Sequence, residues 1–441
     1  MHDSPDPGDR RDAVCVVGAG ASGLTAIKSL REQGFAVDCY ERETGVGGAW
    51  NWRHDRSPVY ASTHLISSRP LTEFPDFPMP DTWPDYPHHS QVLAYLERYA
   101  KHFDLGRHIW FGMEVVSAVP ADDGRWDVTI QSTGGGSSRT QRYAAIVVAN
   151  GHNWSPMKPE IPGDFRGEVM HAGAYKDPAR LRGRKVLVIG GGNTGCDIAV
   201  EAAQQATEVW HSTRRGYWYA PKYLLGRPAD QVNDRLLRWR LPLRLRQWLY
   251  RRVTPDLTRF GLPRPDHRPY ESHPIVNSLL PYYLGHGRIR PRPDVARFDG
   301  SAVEFTDGSR AEPDLVITAT GYRPRFDFLT PELLDTDEHG RPDLHLHAFA
   351  RKHPTLAVIG LLQPDSGVLP LAHWQSVAVA RWLRLRMTDP ARAAAVQQKE
   401  STRPLTTWSR RRVVPSSRHW FEVDHVDYLR ALESLLKQME S

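Results

Sequence analysis

Val14-Cys15-Val16-Val17-Gly18-Ala19-Gly20-Ala21-Ser22-Gly23 decides the fold of this chain. Four apolar residues, three of them valine, form a short buried strand, and Leu24, Ile27 and Leu30 recur at helical spacing on the far side of the glycines. Gly18 allows a tight turn, Gly20 lets backbone approach a pyrophosphate, and Gly23 permits close packing of helix on strand. The amides at Ala21 and Ser22 open the helix, whose positive end holds the anion. The next strand, Ala36 to Tyr40, ends at Glu41-Arg42, where a carboxylate accepts hydrogen bonds from ribose hydroxyls.

The same pattern returns about 170 residues later. Val186 to Ile189 leads into Gly190-Gly191-Gly192-Asn193-Thr194-Gly195 and a helix with Ile198, Ala199 and Ala202. Its second strand ends without an acid, in Ser212-Thr213-Arg214-Arg215. Guanidinium groups at Arg214 and Arg215 accommodate a 2′-phosphate that a carboxylate would repel, so this turn should prefer NADPH to NADH. The fold class expected is α/β, with two doubly wound Rossmann-like dinucleotide-binding domains.

Bulk composition agrees with two units, since 441 residues exceed what one core usually serves. The net charge of +6 suits acidic ligands such as nucleotide phosphates and gives no reason to expect nucleic acid. Cys15, Cys39 and Cys196 are too few and too far apart for a redox pair or a zinc site, and read as small buried hydrophobes. His286, His345 and His347 lack companion ligands, so no metal is expected. No signal peptide or transmembrane span is apparent, which points to a soluble, cytoplasmic protein.

Between the turns, Glu114 to Val119, Trp126 to Gln131 and Arg142 to Ala149 read as strands of a small antiparallel layer. Tyr217 to Pro293 is an Arg- and Pro-rich insertion. Within it, Arg235 to Arg252 carries seven arginines among leucines and tryptophans, divided by Pro242 into two short helices. These helices are expected to cover the active-site mouth or a subunit contact, possible in a homodimer, with peripheral membrane contact as the other reading. Strands resume at Ala302 to Phe305 and Leu315 to Thr320, and a helix at Asp424 to Met439 closes the chain.

Phe165-Arg166-Gly167-Glu168-Val169-Met170-His171-Ala172-Gly173-Ala174-Tyr175 matches F-x-G-x-x-x-H-x-x-x-Y, and with it the chain resembles the flavin-containing monooxygenases, class B flavoproteins related to the Baeyer–Villiger monooxygenases. Gly47-Gly48-Ala49-Trp50, Phe74 to Pro78, Pro87 to Gln91, Ala149-Asn150-Gly151 and Ala319-Thr320-Gly321-Tyr322 agree in order. The resemblance implies FAD at the first turn with Glu41, and Gly48 and Trp50 beside the flavin. It implies NADPH at Gly190 to Gly195 with Arg214 and Arg215, and His171 in the linker coupling nicotinamide binding to the flavin. Related two-domain flavoproteins also set a helix start, here near Gly367, against the flavin pyrimidine ring, where its dipole favours negative charge. The domains implied are an FAD-binding segment 11–162, an NADPH domain 163–312 with its insertion at about 217–293, and a second FAD segment 313–441. The chemistry implied forms a C4a-hydroperoxyflavin from O2 and transfers one oxygen atom to nitrogen or sulfur of a small metabolite.

Two departures bear on that chemistry. The family's flavin-side asparagine is absent, and Ile66 fills its slot, leaving His64, Ser67 and Ser68 as candidate catalytic groups. The fingerprint ends in Tyr175-Lys176, whereas Baeyer–Villiger relatives place Trp before Pro or Asp, which favours heteroatom oxygenation. Ketone oxygenation, an uncoupled NADPH oxidase and a non-catalytic NADPH sensor remain the alternatives. A flavin disulfide reductase is disfavoured by the missing cysteine pair.

Overall fold

The structure, a computed structural model, describes residues 10–238, 241–272, 275–401 and 420–440. Trp239 and Arg240 of the arginine-rich stretch therefore lie outside the described residues. The elements that position the two turns are, in chain order, β1 (Val14–Val17), α1 (Ala21–Glu32), β2 (Val37–Glu41), α2 (His89–His102), β3 (Ile109–Phe111), β4 (Met113–Pro120), β5 (Trp126–Ser132), β6 (Arg139–Tyr143) and β7 (Ala145–Val148). There follow β8 (Glu168–His171), β9 (Lys185–Ile189), α3 (Asn193–Gln205), β10 (Glu208–Ser212), α4 (Ala229–Arg238), α5 (Leu243–Val253), β11 (Arg290–Arg292), β12 (Leu315–Thr318), β13 (Leu344–His345), β14 (Phe349–Ala350), β15 (Leu356–Val358), α6 (Leu369–Thr388) and α7 (His425–Glu440).

The chain divides into two compact units. The first comprises the residues through His54, Arg69–His152 and Pro324 onward, and the second Asp55–Ser68 with Asn153–Arg323. In the first, a seven-stranded sheet runs β13-β14-β15-β7-β1-β2-β3, with β1 parallel to both β2 and β7. Every residue of β1, β2 and β7 is buried. That explains the continuous apolar runs of β1 and β7, because a parallel sheet covered on both faces has no solvent side to make polar, whereas β2 also buries Asp38 and Glu41. Each such valine or isoleucine contributes about 1.5–3 kcal/mol by leaving water.

The antiparallel layer β4-β5-β6 forms as its alternating sequence predicts, with Val115, Ala118, Trp126, Val128 and Ile130 buried. The expected strand Arg142 to Ala149 is in fact two. β6 ends at Tyr143, and the chain turns into β7 of the main sheet, where Ala144 N–H donates to Ala13 O at 2.9 Å. Tyr143 is pinned at this change of sheet, its hydroxyl 2.6 Å from that of Tyr40 and donating to Asp38 at 3.0 Å.

The second unit is a five-stranded parallel sheet ordered β11-β10-β9-β12-β8. β12 pairs with both β8 and β9, so Leu315–Thr318 belongs to this sheet and not to a flavin segment beginning at 313. A core of Val186, Val188, Ile198, Ala199, Ala202, Val209, Leu315 and Ile317 joins α3 to the sheet. The insertion carries α4 and α5, separated at Pro242, which is the N-cap of α5. The face α5 buries is an arginine: Arg246 stacks on Tyr270 at 4.5 Å, while Leu243, Leu245 and Trp248 are exposed. Among the described residues no helix is long and apolar enough to cross a membrane.

Candidate functional site

The first turn is built by backbone crowding. Gly18 has φ +97, and a Cβ there would lie 2.7 Å from Ala149 O at the end of β7. A Cβ on Gly23 would lie 1.8 Å from Gly18 O, so only glycine lets α1 sit this close to the strand. Gly20 is the N-cap of α1, and its Cβ position is 3.5 Å from Gly48 Cα, which leaves two bare backbones facing each other. Gly47 N–H donates to Ala19 O at 3.0 Å, locking the Gly47-Gly48 loop against the turn. The first-turn amides of α1 have no intrahelical acceptors and meet no side chain at Gly20, which fits a pyrophosphate.

Glu41 ends β2 and is buried. One carboxylate oxygen accepts Ala19 N–H at 2.6 Å and the other accepts Glu43 N–H at 2.9 Å. Burial pushes its carboxyl above the ordinary value while these two backbone amides pull it back. Each oxygen retains a lone pair, so the group can hold the turn and still accept from ribose. Arg42 is turned away to Glu114 at 3.1 Å, and Trp50 is half-buried, not a core residue. The structure adds His54, whose Nε2 lies 3.1 Å from Gly48 O.

At the start of α6, Gly367 is required by packing, since a Cβ would meet Leu71 O at 2.0 Å. Beside it Ser366 Oγ is buried without a hydrogen-bond partner among the described residues, a polar atom that suits the edge of a heterocycle. α6 runs on to Thr388.

The second turn repeats the first. Gly190 has φ +128 and its Cβ would lie 2.3 Å from Ala319 O at the end of β12, and a Cβ on Gly195 would lie 2.0 Å from Gly190 O. Gly192 caps α3, and Thr194 is half-buried in its first turn. Asn193, the first residue of α3, is committed to structure, its Oδ1 accepting Val276 N–H at 2.8 Å. The two arginines differ. Arg215 pairs with Asp266 at 2.8 Å and lies over Tyr217, whereas Arg214 is exposed and makes no ion pair with any described residue. Thr213 Oγ1 beside it is buried with no partner among the described residues.

The fingerprint residues are each held in place. Phe165 packs on Phe298, and Tyr175 donates to Glu201 at 2.6 Å. His171 accepts Gly173 N–H at Nδ1, 3.0 Å, and its Nε2–H donates to Gly321 O at 3.1 Å, with Tyr322 edge-on at 5.2 Å. Burial lowers its pKa, so the ring is a neutral pin between the fingerprint and the Ala319–Tyr322 stretch.

His64, Ser67 and Ser68 fall in the second unit. His64 Nδ1–H donates to Ser62 O at 2.9 Å, and its Nε2 accepts from Lys222 Nζ. Ser68 N–H donates to Asp230 at 2.6 Å. Ser67 is half-buried between them in sequence. Sequence reading missed Lys176, Asp197, Lys222 and Asp230, whose partners lie far along the chain; Lys176, directly after the fingerprint tyrosine, offered the only local signal. The three cysteines are buried and unpaired, and no group of His, Cys, Asp or Glu among the described residues could hold a metal.

Two α/β units, each with a strand, a glycine turn and a helix, with an acid at the end of one following strand and arginines after the other, define a protein built for two dinucleotides. The chain belongs to the flavin-binding monooxygenase-like family, whose profile matches residues 11–440. It is 32% identical over 446 residues to flavin-containing monooxygenase 5 of Mus musculus, covering 96% of this chain and 82% of the relative. It is 34% identical over 394 residues to dimethylaniline monooxygenase (N-oxide-forming) 2 of Rattus norvegicus, covering 84% and 72%. The fold matches S-allyl-L-cysteine S-oxygenase of Allium sativum with a TM-score of 0.66 at 23% identity, covering 97% and 88%. It matches cyclohexanone monooxygenase in its open form with a TM-score of 0.65 at 20% identity, covering 88% and 91%. The chain is an NADPH-dependent flavin monooxygenase, an oxidoreductase whose cofactors are FAD and NADPH, with O2 as co-substrate.

Proposed function

We propose that this enzyme transfers one oxygen atom to a nucleophilic nitrogen or sulfur of a small metabolite, with FAD at the first turn and NADPH at the second. The observation that carries this reading is the opposite charge at the two ribose ends: Glu41 buried on Ala19 N–H, and Arg214 exposed without a carboxylate. A 2′-phosphate is repelled at the first and attracted at the second. Heteroatom oxygenation is favoured by Tyr175-Lys176 at the end of the fingerprint, and one relative is named for N-oxide formation and one structural neighbour for S-oxygenation.

Bound FAD supplies the redox and oxygen chemistry, and the protein supplies binding, orientation and exclusion of water. The amides from Gly20 to Gly23 hold its pyrophosphate and Glu41 accepts from its ribose. Gly48 and Trp50 would hold the isoalloxazine, and the α6 start near Gly367 would favour negative charge on its pyrimidine ring. Gly190, Gly192, Thr194 and Gly195 take the second pyrophosphate, Arg214 the 2′-phosphate, and Arg215 shapes the loop through Asp266. Ile66 in the asparagine slot favours a second reading, in which part of the NADPH consumed yields hydrogen peroxide instead of product.

Anaerobic NADPH should bleach the bound flavin, and reoxidation with a panel of amines, thioethers and ketones should yield products heavier by one oxygen. Bleaching without any oxygenated product, with peroxide matching the NADPH used, would leave only the oxidase. Products from ketones alone would replace heteroatom oxygenation with ester formation.

A further inference from the structure

The segment Asp55–Ser68 belongs to the second unit, although the chain on either side of it, ending at His54 and resuming at Arg69, belongs to the first. Fourteen consecutive residues thus leave the unit that carries Gly48 and Trp50, and are held on the unit that carries the second turn. What holds them is specific. Lys176 Nζ donates to Ser57 O and, at 3.2 Å, to Val59 O, while Lys176 O accepts Ala61 N–H at 2.9 Å. Ser57 and Val59 are buried. No carboxylate among the described residues lies within ion-pair distance of this ammonium. A half-buried lysine loses hydration, and two loop carbonyls return only part of it, so the residue serves the placement of that loop better than it serves stability.

A second attachment leads to the glycine turn itself. Tyr60 packs on the fingerprint tyrosine, Tyr175, with ring centroids 5.5 Å apart, and its hydroxyl donates to Asp197 at 3.3 Å. Asp197 lies on α3, four residues after Asn193, and accepts from Asn277 Nδ2 at 2.7 Å. Neighbouring Val276 donates to Asn193 at 2.8 Å. The first residue of that helix is therefore tied to Tyr60 through three hydrogen bonds, by way of Val276-Asn277 and Asp197.

We propose that Lys176 is a positioning residue that, with the Tyr60–Asp197 link, makes the order of Asp55–Ser68 depend on a dinucleotide at the Gly190–Gly195 turn. The inference rests on placing NADPH at that turn. It gives the lysine after the fingerprint a role that touches neither cofactor: occupancy of one glycine turn fixes the stretch of chain that follows Gly48 and Trp50.

The test is hydrogen exchange by mass spectrometry on the FAD-loaded enzyme, with and without NADP+, for the wild type, Lys176→Met, Lys176→Arg and Tyr60→Phe. In the wild type, NADP+ should slow exchange at 186–199 and also at 57–65, the latter by about tenfold. In Lys176→Met, 186–199 should still respond, while 57–65 exchanges about tenfold faster and ignores NADP+. Lys176→Arg should restore the response, and Tyr60→Phe, which keeps the ring, should weaken it without the risk of misfolding. With uncoupling, the KM for NADPH should stay within about twofold while peroxide release rises. A normal response at 57–65 in Lys176→Met overturns the proposal. So does a wild type in which 186–199 responds and 57–65 does not. Absence of any response at 186–199 in the wild type removes the NADPH placement itself, and this inference with it.

Discussion

Replacing Arg214 by alanine removes a guanidinium that is exposed and unpaired among the described residues, so nothing in the apo protein needs repair afterwards. The whole cost should fall on the ligand. A hydrogen-bonded contact to a charged group contributes about 1.5–3 kcal/mol, and solvent and salt around an exposed arginine bring this to the lower end, about 1.5–2 kcal/mol. At 1.4 kcal/mol per decade, the KM for NADPH should rise about 10- to 30-fold. NADH has no 2′-phosphate, so its KM should move by less than about twofold, and kcat with either donor should hold because the contact is equal in ground and transition states. The assay is steady-state oxidation of both donors at low and high salt. The NADPH effect should shrink at high salt, where the phosphate is screened. Arg215→Ala is the control: its guanidinium is already spent on Asp266, and its loss should lower thermal stability more than it changes donor preference. Equal effects of Arg214→Ala on NADPH and NADH would refute the 2′-phosphate assignment.

Three further outcomes follow from the same geometry. Gly195→Ala places a Cβ where Gly190 O stands at 2.0 Å, so the turn must open; flavin absorbance should persist while NADPH no longer bleaches it, and unaltered bleaching would contradict the crowding argument. His347 is buried with its pKa pushed down to about 4, so protons bind the unfolded chain better and stability is present above the ordinary histidine value and lost as pH falls from there toward 4. Its φ is +50, which asparagine tolerates, and His347→Asn should flatten the fall in melting temperature between about pH 6.5 and 4; a slope matching the wild type counts against it. Ile66→Asn restores an amide where the family has one, and should raise the ratio of oxygenated product to peroxide; an unchanged ratio would detach uncoupling from this position.

Much of the fold is legible because its signals are local. Valine runs followed by glycines mark both turns, and the acid at Glu41 against the bases at Arg214 and Arg215 tells the two apart, since each feature lies within one strand, turn and helix. What could not be read is whatever depends on pairing across long stretches of chain. Leu315–Thr318 has a strand's composition, but only its registers with Glu168–His171 and with β9 show which sheet it joins. Arg142 to Ala149 is a continuous strand by pattern, and only the bond from Ala144 to Ala13 reveals the change of sheet. The excursion Asp55–Ser68 is the largest such case, because Tyr60, Ser57 and Ser68 find Asp197, Lys176 and Asp230 more than a hundred residues away. Arg214 and Arg215 are alike in sequence, and only Asp266, distant in the chain, separates their roles.

The carbonyl floors of the two turns have a consequence for redesign. Ala149 O closes the first turn and Ala319 O the second, and each alanine begins an Ala-x-Gly step as the chain leaves a strand. The duplication therefore extends past the glycines to a fourth element, and sensitivity to mutation should come in matched pairs: Gly18 with Gly190, Gly23 with Gly195, Ala149 with Ala319. The residues proposed to face the two riboses stand outside that shared frame. On that placement, editing Thr213 to Arg215 at the end of β10 should shift donor preference while the frame that both halves have in common is left as it is.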